Sequence, residues 1–325
     1  MLKRGPLNGR KSLADRSVLN TTTVKDKFKS SPKSFKDYLV SIDLADPIER
    51  GKLAVQLKMD VDKACVELFK DDPRKHLGAS IIGHDCSAYL WNTFRHLKQE
   101  AFDGRMLRLF NRGHLEESRF VKWLQAVGFE VEEFDPATGK QFKISGVNGH
   151  FGGSTDGRVK LPPIYQFTDW LITEFKTHGN KSFVKLKDEG VRKSKPMHFK
   201  QMSSYGRVYG YRYGLYCAVN KDTDELHFEI AELDWSLADD LFRKADAIIN
   251  SRTQPQKIAQ VATYRDCTYC HFKSICFYGD EPNKNCRSCE HAVPTENATW
   301  TCMLVNQVIP DEVVKEGCSS WRRII

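Results

Sequence analysis

Seven of the ten cysteines lie beyond residue 266, in a stretch with few large apolar side chains. A small loop-rich tail of that kind hardly folds without a metal to hold it. Its first group, Cys267-x2-Cys270-x5-Cys276, has a spacing that suits tetrahedral zinc or an iron–sulfur cluster, and three thiolates need a fourth ligand. The second group, Cys286-x2-Cys289-x12-Cys302-x15-Cys318, reads as a four-cysteine zinc ribbon with Trp300 and Pro294 as its apolar filler. His291 is a rival ligand there, and exchange of partners between the groups stays open. No apolar signal-peptide core follows the N-terminus, so secretory export is not expected and metal binding comes before disulfides. For the same reason the sequon Asn297-Ala298-Thr299 carries no weight. Cys65 and Cys217 are left over and read as packed thiols.

The 325 residues suffice for one large domain with appendages. A mean hydropathy of -0.51 and the lack of any apolar run near 18 residues exclude a membrane-spanning helix. The formal charge of +8 is unevenly placed: residues 1–40 carry ten Lys or Arg against three Asp. With few large apolar residues, this segment reads as a disordered basic arm, either binding nucleic acid or only solubilising the chain. It also has the acid-poor look of a transit peptide. The expected organisation is the arm at 1–40, a main domain at 41–280 and a four-cysteine module at 281–325.

From about 44 to 135 the patterns are helical. Asp60 or Asp62 is expected to cap a helix through Phe69, and Asp85 one through Lys98. Between 105 and 127 the stripe Phe110, His114, Glu117, Val121, Leu124 predicts a helix whose inward face carries a His and a Glu, with Glu116 pointing elsewhere. After Gly128 the period falls to two, giving strands over 141–149, 153–160 and 167–176. A helix over 196–211, a hairpin turning at Lys221–Asp224 and a helix over 235–251 with Ser236 as cap complete the order. The predicted fold is α/β, a mixed central sheet flanked by helices.

Alternation along the third strand places Glu174 and Lys176 on one face, with Leu171, Thr173 and Phe175 on the other. An acid and a lysine on an otherwise apolar strand are costly to bury unless they are paired. Upstream, glycines flank a single carboxylate in Gly152-Gly153-Ser154-Thr155-Asp156-Gly157. Carboxylates of this kind can hold Mg²⁺, a hard cation, while a lysine orients or deprotonates water for phosphodiester cleavage. The competing reading is an ordinary salt bridge in a sheet, for Glu-x-Lys alone is a weak motif. Its neighbours add weight. The helix over 196–211 presents His198, Gln201 and Tyr205 on one face, and its approach, Arg192 to Lys200, is basic enough to meet a DNA backbone. Tyr209, Tyr211 and Tyr213 could stack on unpaired bases, though packing explains them as well.

Four motifs in this order resemble the PD-(D/E)XK nuclease superfamily, in its RecB-like exonuclease branch with a C-terminal cysteine cluster. They are Gly113-x-x-x-Glu117 with His114, Ser154-Thr155-Asp156-Gly157, Glu174-Phe175-Lys176 and Gln201-x-x-x-Tyr205. The likeness spans about 76–318 and looks closest to phage and prophage members, through Gly78-Ala79-Ser80-Ile81-Ile82-Gly83, Leu90-Trp91, Phe94-Arg95 and Lys195-Pro196-Met197-His198. The resemblance implies a restriction-endonuclease-like fold and Mg²⁺ or Mn²⁺ held by Asp156, Glu174 and the Phe175 carbonyl. Lys176 would be the catalytic lysine, Glu117 or His114 would complete the metal set, and Gln201 and Tyr205 would hold substrate or the site's geometry. It further implies a [4Fe–4S] cluster on Cys86, Cys267, Cys270 and Cys276, beside structural Zn²⁺ on Cys286, Cys289, Cys302 and Cys318. The related sequences carry a histidine where this chain has Trp321, which argues against a ligand there.

The expected activity is therefore metal-dependent cleavage of DNA from its ends, serving phage recombination, repair or genome processing in the cytoplasm of a bacterial host. DNA is the expected partner, along with phage recombination or replication proteins, and no membrane. Replacing Asp156 or Lys176 by alanine is expected to abolish cleavage with folding intact. Two rivals are a CRISPR-adaptation-type nuclease that trims captured DNA and a non-catalytic nucleic-acid-binding protein. The second leaves Glu117, Asp156, Glu174 and Lys176 unexplained.

Overall fold

The computed structural model describes residues 45–69 and 73–325, so the basic arm at 1–40 lies outside the described residues. The elements are α1 (Pro47–Leu68), β1 (Leu77–Gly78), α2 (Ser87–Phe94), α3 (Gly104–Ala126), β2 (Glu130–Glu132), β3 (Lys143–Gly146), β4 (Phe151–Ser154), β5 (Arg158–Lys160) and β6 (Leu171–His178). They continue with α4 (Asn180–Ser194), α5 (Pro196–Tyr209), β7 (Tyr213–Asn220), β8 (Leu226–Glu232), α6 (Trp235–Asn250), α7 (Arg265–Thr268) and α8 (Lys273–Tyr278). The tail adds β9 (Ala292–Pro294), β10 (Trp300–Cys302), β11 (Gln307–Ile309) and α9 (Asp311–Val314).

Contacts divide the chain into two units. The described part of the first is 45–69 with Phe102–Ser118; the second holds 73–101 and Arg119–Ile325, so α3 runs from one into the other. In the first unit, α1 starts earlier than its Asp60 or Asp62 suggested, because Asp46 caps it by accepting from the Ile48 N–H at 2.9 Å. Arg108 of α3 pairs with Asp62 of α1 at 2.6 Å and touches the sulfur of buried Cys65.

The second unit is built on a five-stranded mixed sheet in the order β2-β5-β6-β7-β8. Only β6 and β7 run parallel; the other pairs are antiparallel. One face packs Phe120, Val121 and Leu124 of α3 against Leu171, Phe175, Leu215 and Cys217. There Phe120 stacks on Phe175 at 5.3 Å between centroids. The opposite face meets α4, α5 and α6 through Ile172, Tyr216, Met202, Tyr205 and Leu241. Helices on both faces of a mixed sheet match the architecture expected from the sequence.

The hairpin β7–β8 and helices α5 and α6 lie where the periodicity placed them, although Asp234 rather than Ser236 caps α6 by accepting from the Leu237 N–H. Helix α2 is capped by Cys86, whose sulfur accepts from the Tyr89 N–H at 3.4 Å, not by Asp85, and it ends at Phe94. Helix α4 was not foreseen. It is lysine-rich, buries only Phe183, Leu186 and Val191, and breaks at Gly190, whose φ of 73° suits a residue without a Cβ.

The 281–325 segment forms a separate antiparallel sheet, β11-β10-β9, but its Cys286, Cys289, Trp300, Ile309 and Val314 belong to the same core cluster as α2, α5 and α6. Two buried arginines weld it there. Arg95 donates to the carbonyls of Ala292 at 2.9 Å and Ser251 at 3.2 Å with its guanidinium over the Trp91 and Trp300 rings. Arg287 lies over Phe94 and the same Trp300.

Candidate active site and thiol centres

The two glycines of β4 are dictated by closeness. A Cβ on Gly153 would lie 2.6 Å from the Tyr205 hydroxyl, and one on Gly152 would lie 2.8 Å from the Ile144 carbonyl. Beyond β4 the chain turns through Gly157, at a φ of 125°, where a Cβ would press on the Glu132 carbonyl. This turn delivers Asp156 to the edge of β6, and its Oδ2 accepts the Phe175 N–H at 2.8 Å.

On β6, Glu174 and Lys176 share the face toward α5, as alternation requires. Glu174 is fully buried, whereas the Lys176 side chain keeps 29% of its exposure. The Lys176 ammonium stands 2.5 Å from Glu174 Oε1, 3.2 Å from the Phe175 carbonyl and 3.9 Å from Asp156 Oδ2. Three oxygens from two carboxylates and one peptide thus surround a single cation. Gln201 of α5 donates to Glu174 Oε2 at 3.2 Å. One turn on, Tyr205 donates to the Ser154 carbonyl at 3.0 Å. Burial first, then the Glu174 and Asp156 carboxylates, raise the Tyr205 phenol far above its ordinary value, so it remains a donor.

Asp156, Glu174, Phe175, Lys176, Gln201 and Tyr205 are therefore brought together within the second unit. His114 and Glu117 belong to the first unit, where they hydrogen-bond each other at 3.2 Å. The inward stripe expected of α3 needs correction. His114 and Phe110 are exposed and Glu117 is half-buried, while Glu116, expected to point away, is buried. The buried positions Glu116, Phe120 and Leu124 recur every four residues, so the buried stripe lies beside the one read from Phe110.

Two residues at the site were not singled out from sequence. Tyr216 pairs in register with Glu174 across the parallel β6–β7 ladder, and His178 follows Lys176 on the same face. The period of two could have found His178. Nothing local announces Tyr216, because its neighbour lies 42 positions away in the chain.

The first cysteine group lines one cavity of about 270 Å³, and Cys86 joins Cys267, Cys270 and Cys276 there, beside Tyr89 and Lys257. Asn92 and Gln254 donate to the Cys276 sulfur at 3.5 and 4.0 Å. Burial chiefly raises the Cys267, Cys270 and Cys276 thiols, and the neighbouring thiols add to it. In the tail, burial and then Cys318, Cys289 and Cys302 raise Cys286, so the second four thiols also share one neighbourhood. Trp321 donates its indole N–H to Ser288 at 3.0 Å. Among the described residues no three His, Cys, Asp or Glu side chains converge as ligands of one metal ion.

No family model and no curated protein matches the chain. Solved structures do. The alkaline exonuclease LHK-Exo from Laribacter hongkongensis is 20% identical over 54% of this chain and 87% of its own, with a TM-score of 0.39. Its complex with dAMP is similar over 54% of this chain and 86% of its own, with the same identity and score. The protein SSO0001 is 14% identical over 68% of this chain and 96% of its own, with a TM-score of 0.40.

Proposed function

We propose that the chain is a metal-dependent deoxyribonuclease acting on DNA ends, in phage recombination, repair or genome processing. The observation that carries this reading is the convergence of Asp156, Glu174 and the Phe175 carbonyl on one point now held by the Lys176 ammonium. Hard oxygen donors of this kind fit Mg²⁺ or Mn²⁺. Such an ion, when bound, supplies charge neutralisation at the phosphate and acidifies water. Asp156 and Glu174 would hold it, with the Phe175 carbonyl as third donor. Gln201 donates to Glu174 Oε2, and Tyr205 ties α5 to the β4 edge that precedes Asp156. Lys176 is placed to orient the attacking water and to stabilise the negative charge that develops at the phosphate.

Four thiols lining one cavity of about 270 Å³ support an iron–sulfur cluster there, since such clusters are held by four thiolates. The reading places a [4Fe–4S] cluster on Cys86, Cys267, Cys270 and Cys276, with Asn92 and Gln254 donating to one sulfur, and Zn²⁺ on Cys286, Cys289, Cys302 and Cys318. Hydrolysis transfers no electrons, so both would be structural.

The test is cleavage of end-labelled linear single- and double-stranded DNA, with a circular control, in Mg²⁺, Mn²⁺ or EDTA. Wild type is compared with Asp156→Asn and Lys176→Gln, each checked for folding by circular dichroism. Metal-dependent loss of linear DNA by wild type alone is expected. Folded wild type that leaves every substrate intact, or a variant that cleaves as well as wild type, refutes the reading.

A further inference from the structure

A groove of about 410 Å³, in the size range of small-ligand sites, flanks the turn that carries Asp156. Lys140, Phe142, Lys143, Arg158 and Tyr209 line it, together with Asp135. Two hydrogen bonds join it to the candidate active site. Tyr205 donates to the Ser154 carbonyl at 3.0 Å, and Tyr209, one turn further along α5, donates to the Lys143 carbonyl at 2.8 Å. Ser154 and Lys143 are partners across the β3–β4 pair, so the two phenols hold opposite strands at one rung. On the strand side, the Phe142 carbonyl accepts the Thr155 N–H at 3.0 Å, and Arg158 follows Asp156 by two residues.

The lining sets cations beside rings. Arg158 is held in place: its guanidinium meets Glu132 at 2.7 Å and the Tyr211 hydroxyl at 2.6 Å, and lies 4.8 Å from the Phe142 centroid and 4.2 Å from that of Trp170. Tyr209 is fixed as well, stacked on Tyr211 and perpendicular to the Phe142 ring. Lys140 and Lys143, by contrast, are exposed, and among the described residues neither ammonium forms an ion pair. The acid in the lining, Asp135, is engaged within its own turn, accepting from the Ala137 N–H at 2.9 Å and the Thr138 hydroxyl at 3.0 Å.

Unpaired ammonium groups beside a fixed aromatic ring suit a polyanion with flat bases. The phosphates meet the lysines, and a base freed from its partner stacks on the ring. We propose that this groove is a binding site for an unpaired DNA strand, with one base against Tyr209 and the adjoining phosphates at Lys140 and Lys143. The proposal deepens the nuclease reading and rests on it. A strand seated there continues onto the Asp156 turn, so the groove favours ends that are single-stranded or frayed.

The test is fluorescence anisotropy of a labelled short oligothymidylate with the full chain, in EDTA to hold off cleavage, over a series of salt concentrations. A blunt hairpin duplex is the second probe, and each variant is checked for folding by circular dichroism. Lys140→Gln/Lys143→Gln should weaken single-strand binding about tenfold at physiological salt and reduce the salt slope by about 1.4, two contacts at about 0.7 each. Hairpin binding should stay as it is. Tyr209→Leu should weaken single-strand binding by a further factor of about ten, as for one lost stacking contact, while Tyr209→Phe, which keeps the ring, retains most of it. A double lysine variant with unchanged affinity and slope overturns the proposal. So does one that loses hairpin binding equally, because its lysines then meet a paired backbone. Tyr209→Phe as weak as Tyr209→Leu overturns it too, since the hydroxyl tie to Lys143 rather than the ring would then matter. A wild type that binds single strands through these residues but cleaves nothing counts against the nuclease reading and supports the groove.

Discussion

Replacing Lys176 by methionine removes the ammonium 2.5 Å from a carboxylate that is fully buried. Breaking one side of a buried pair costs about 3–5 kcal/mol when the remaining charge has to stay buried. Glu174 has an escape, since it can take up a proton. That costs about 1.36 kcal/mol for each pH unit above the unfolded carboxyl value of about 4.3, or close to 3.7 kcal/mol at pH 7 and about 1 kcal/mol at pH 5. The lysine also keeps 29% of its exposure, which lowers what it contributes. Lys176→Met is therefore expected to lose about 3 kcal/mol at pH 7 and about 1 kcal/mol at pH 5, relative to wild type at the same pH. Urea unfolding followed by circular dichroism in EDTA measures both. The double variant Glu174→Gln/Lys176→Met carries no buried charge at this position and should regain most of the loss. An equal loss at both pH values, or a double variant no better than Lys176→Met, refutes the reasoning. Lysine at 176 thus bears on folding, so loss of cleavage in Lys176→Ala informs the proposed chemistry only alongside that variant's stability.

Three further outcomes follow from the geometry. Burial holds His96 and His198 down to about 3 and His178 to about 4. The unfolded chain therefore binds more protons below about 6.5, and stability is lost as pH falls, by about 2 kcal/mol per histidine at pH 5. His178→Gln should flatten that decline between pH 7.5 and 5 by its share, and an unchanged slope contradicts the assignment. Gly153→Ala places a Cβ 2.6 Å from the Tyr205 hydroxyl, so Tyr205 must leave the Ser154 carbonyl; cleavage should drop about tenfold, as for a lost hydrogen bond to the frame. Undiminished cleavage would show that Tyr205 does not fix the site. For the thiols, Cys276→Ser should abolish the visible absorption of anaerobically purified protein, whereas Cys289→Ser should keep it and lose zinc; the reverse pattern, or no absorption in wild type, disproves the proposed ligand sets.

Much of the site was legible because its signals are local. Period two alone put Glu174 and Lys176 on one face, and period 3.6 put His198, Gln201 and Tyr205 on another. That these two faces meet is a fact of tertiary packing, which the order of motifs implied only through resemblance. What sequence hid is non-local or sits at element boundaries. Tyr216 reaches Glu174 through parallel pairing across α4 and α5, and no pattern within β7 marks it. Helix α4 hid because lysines outnumber its few buried side chains and Gly190 interrupts it. Cys86 stands out in the sequence only through the resemblance, as a cluster ligand, with Asp85 rather than Cys86 expected as the cap. It is itself the cap, and it lines the thiol cavity.

The arrangement around Lys176 bears on how two carboxylates can be held so close together. Asp156 meets the Phe175 N–H, Glu174 meets Gln201, and both carboxylates and the Phe175 carbonyl face one ammonium. The lysine therefore neutralises the same oxygens that a divalent cation would take on the nuclease reading. A bound ion would compete with the ammonium for the same carboxylates. On that reading one side chain would stabilise the fold without the ion and serve the reaction with it. The consequence is a coupling that can be measured. Divalent metal should raise the unfolding midpoint of Lys176→Met more than that of wild type, because in the variant it restores a missing positive charge and in wild type it displaces one already there. Equal shifts in the two proteins would mean that the ion and the ammonium do not share these oxygens.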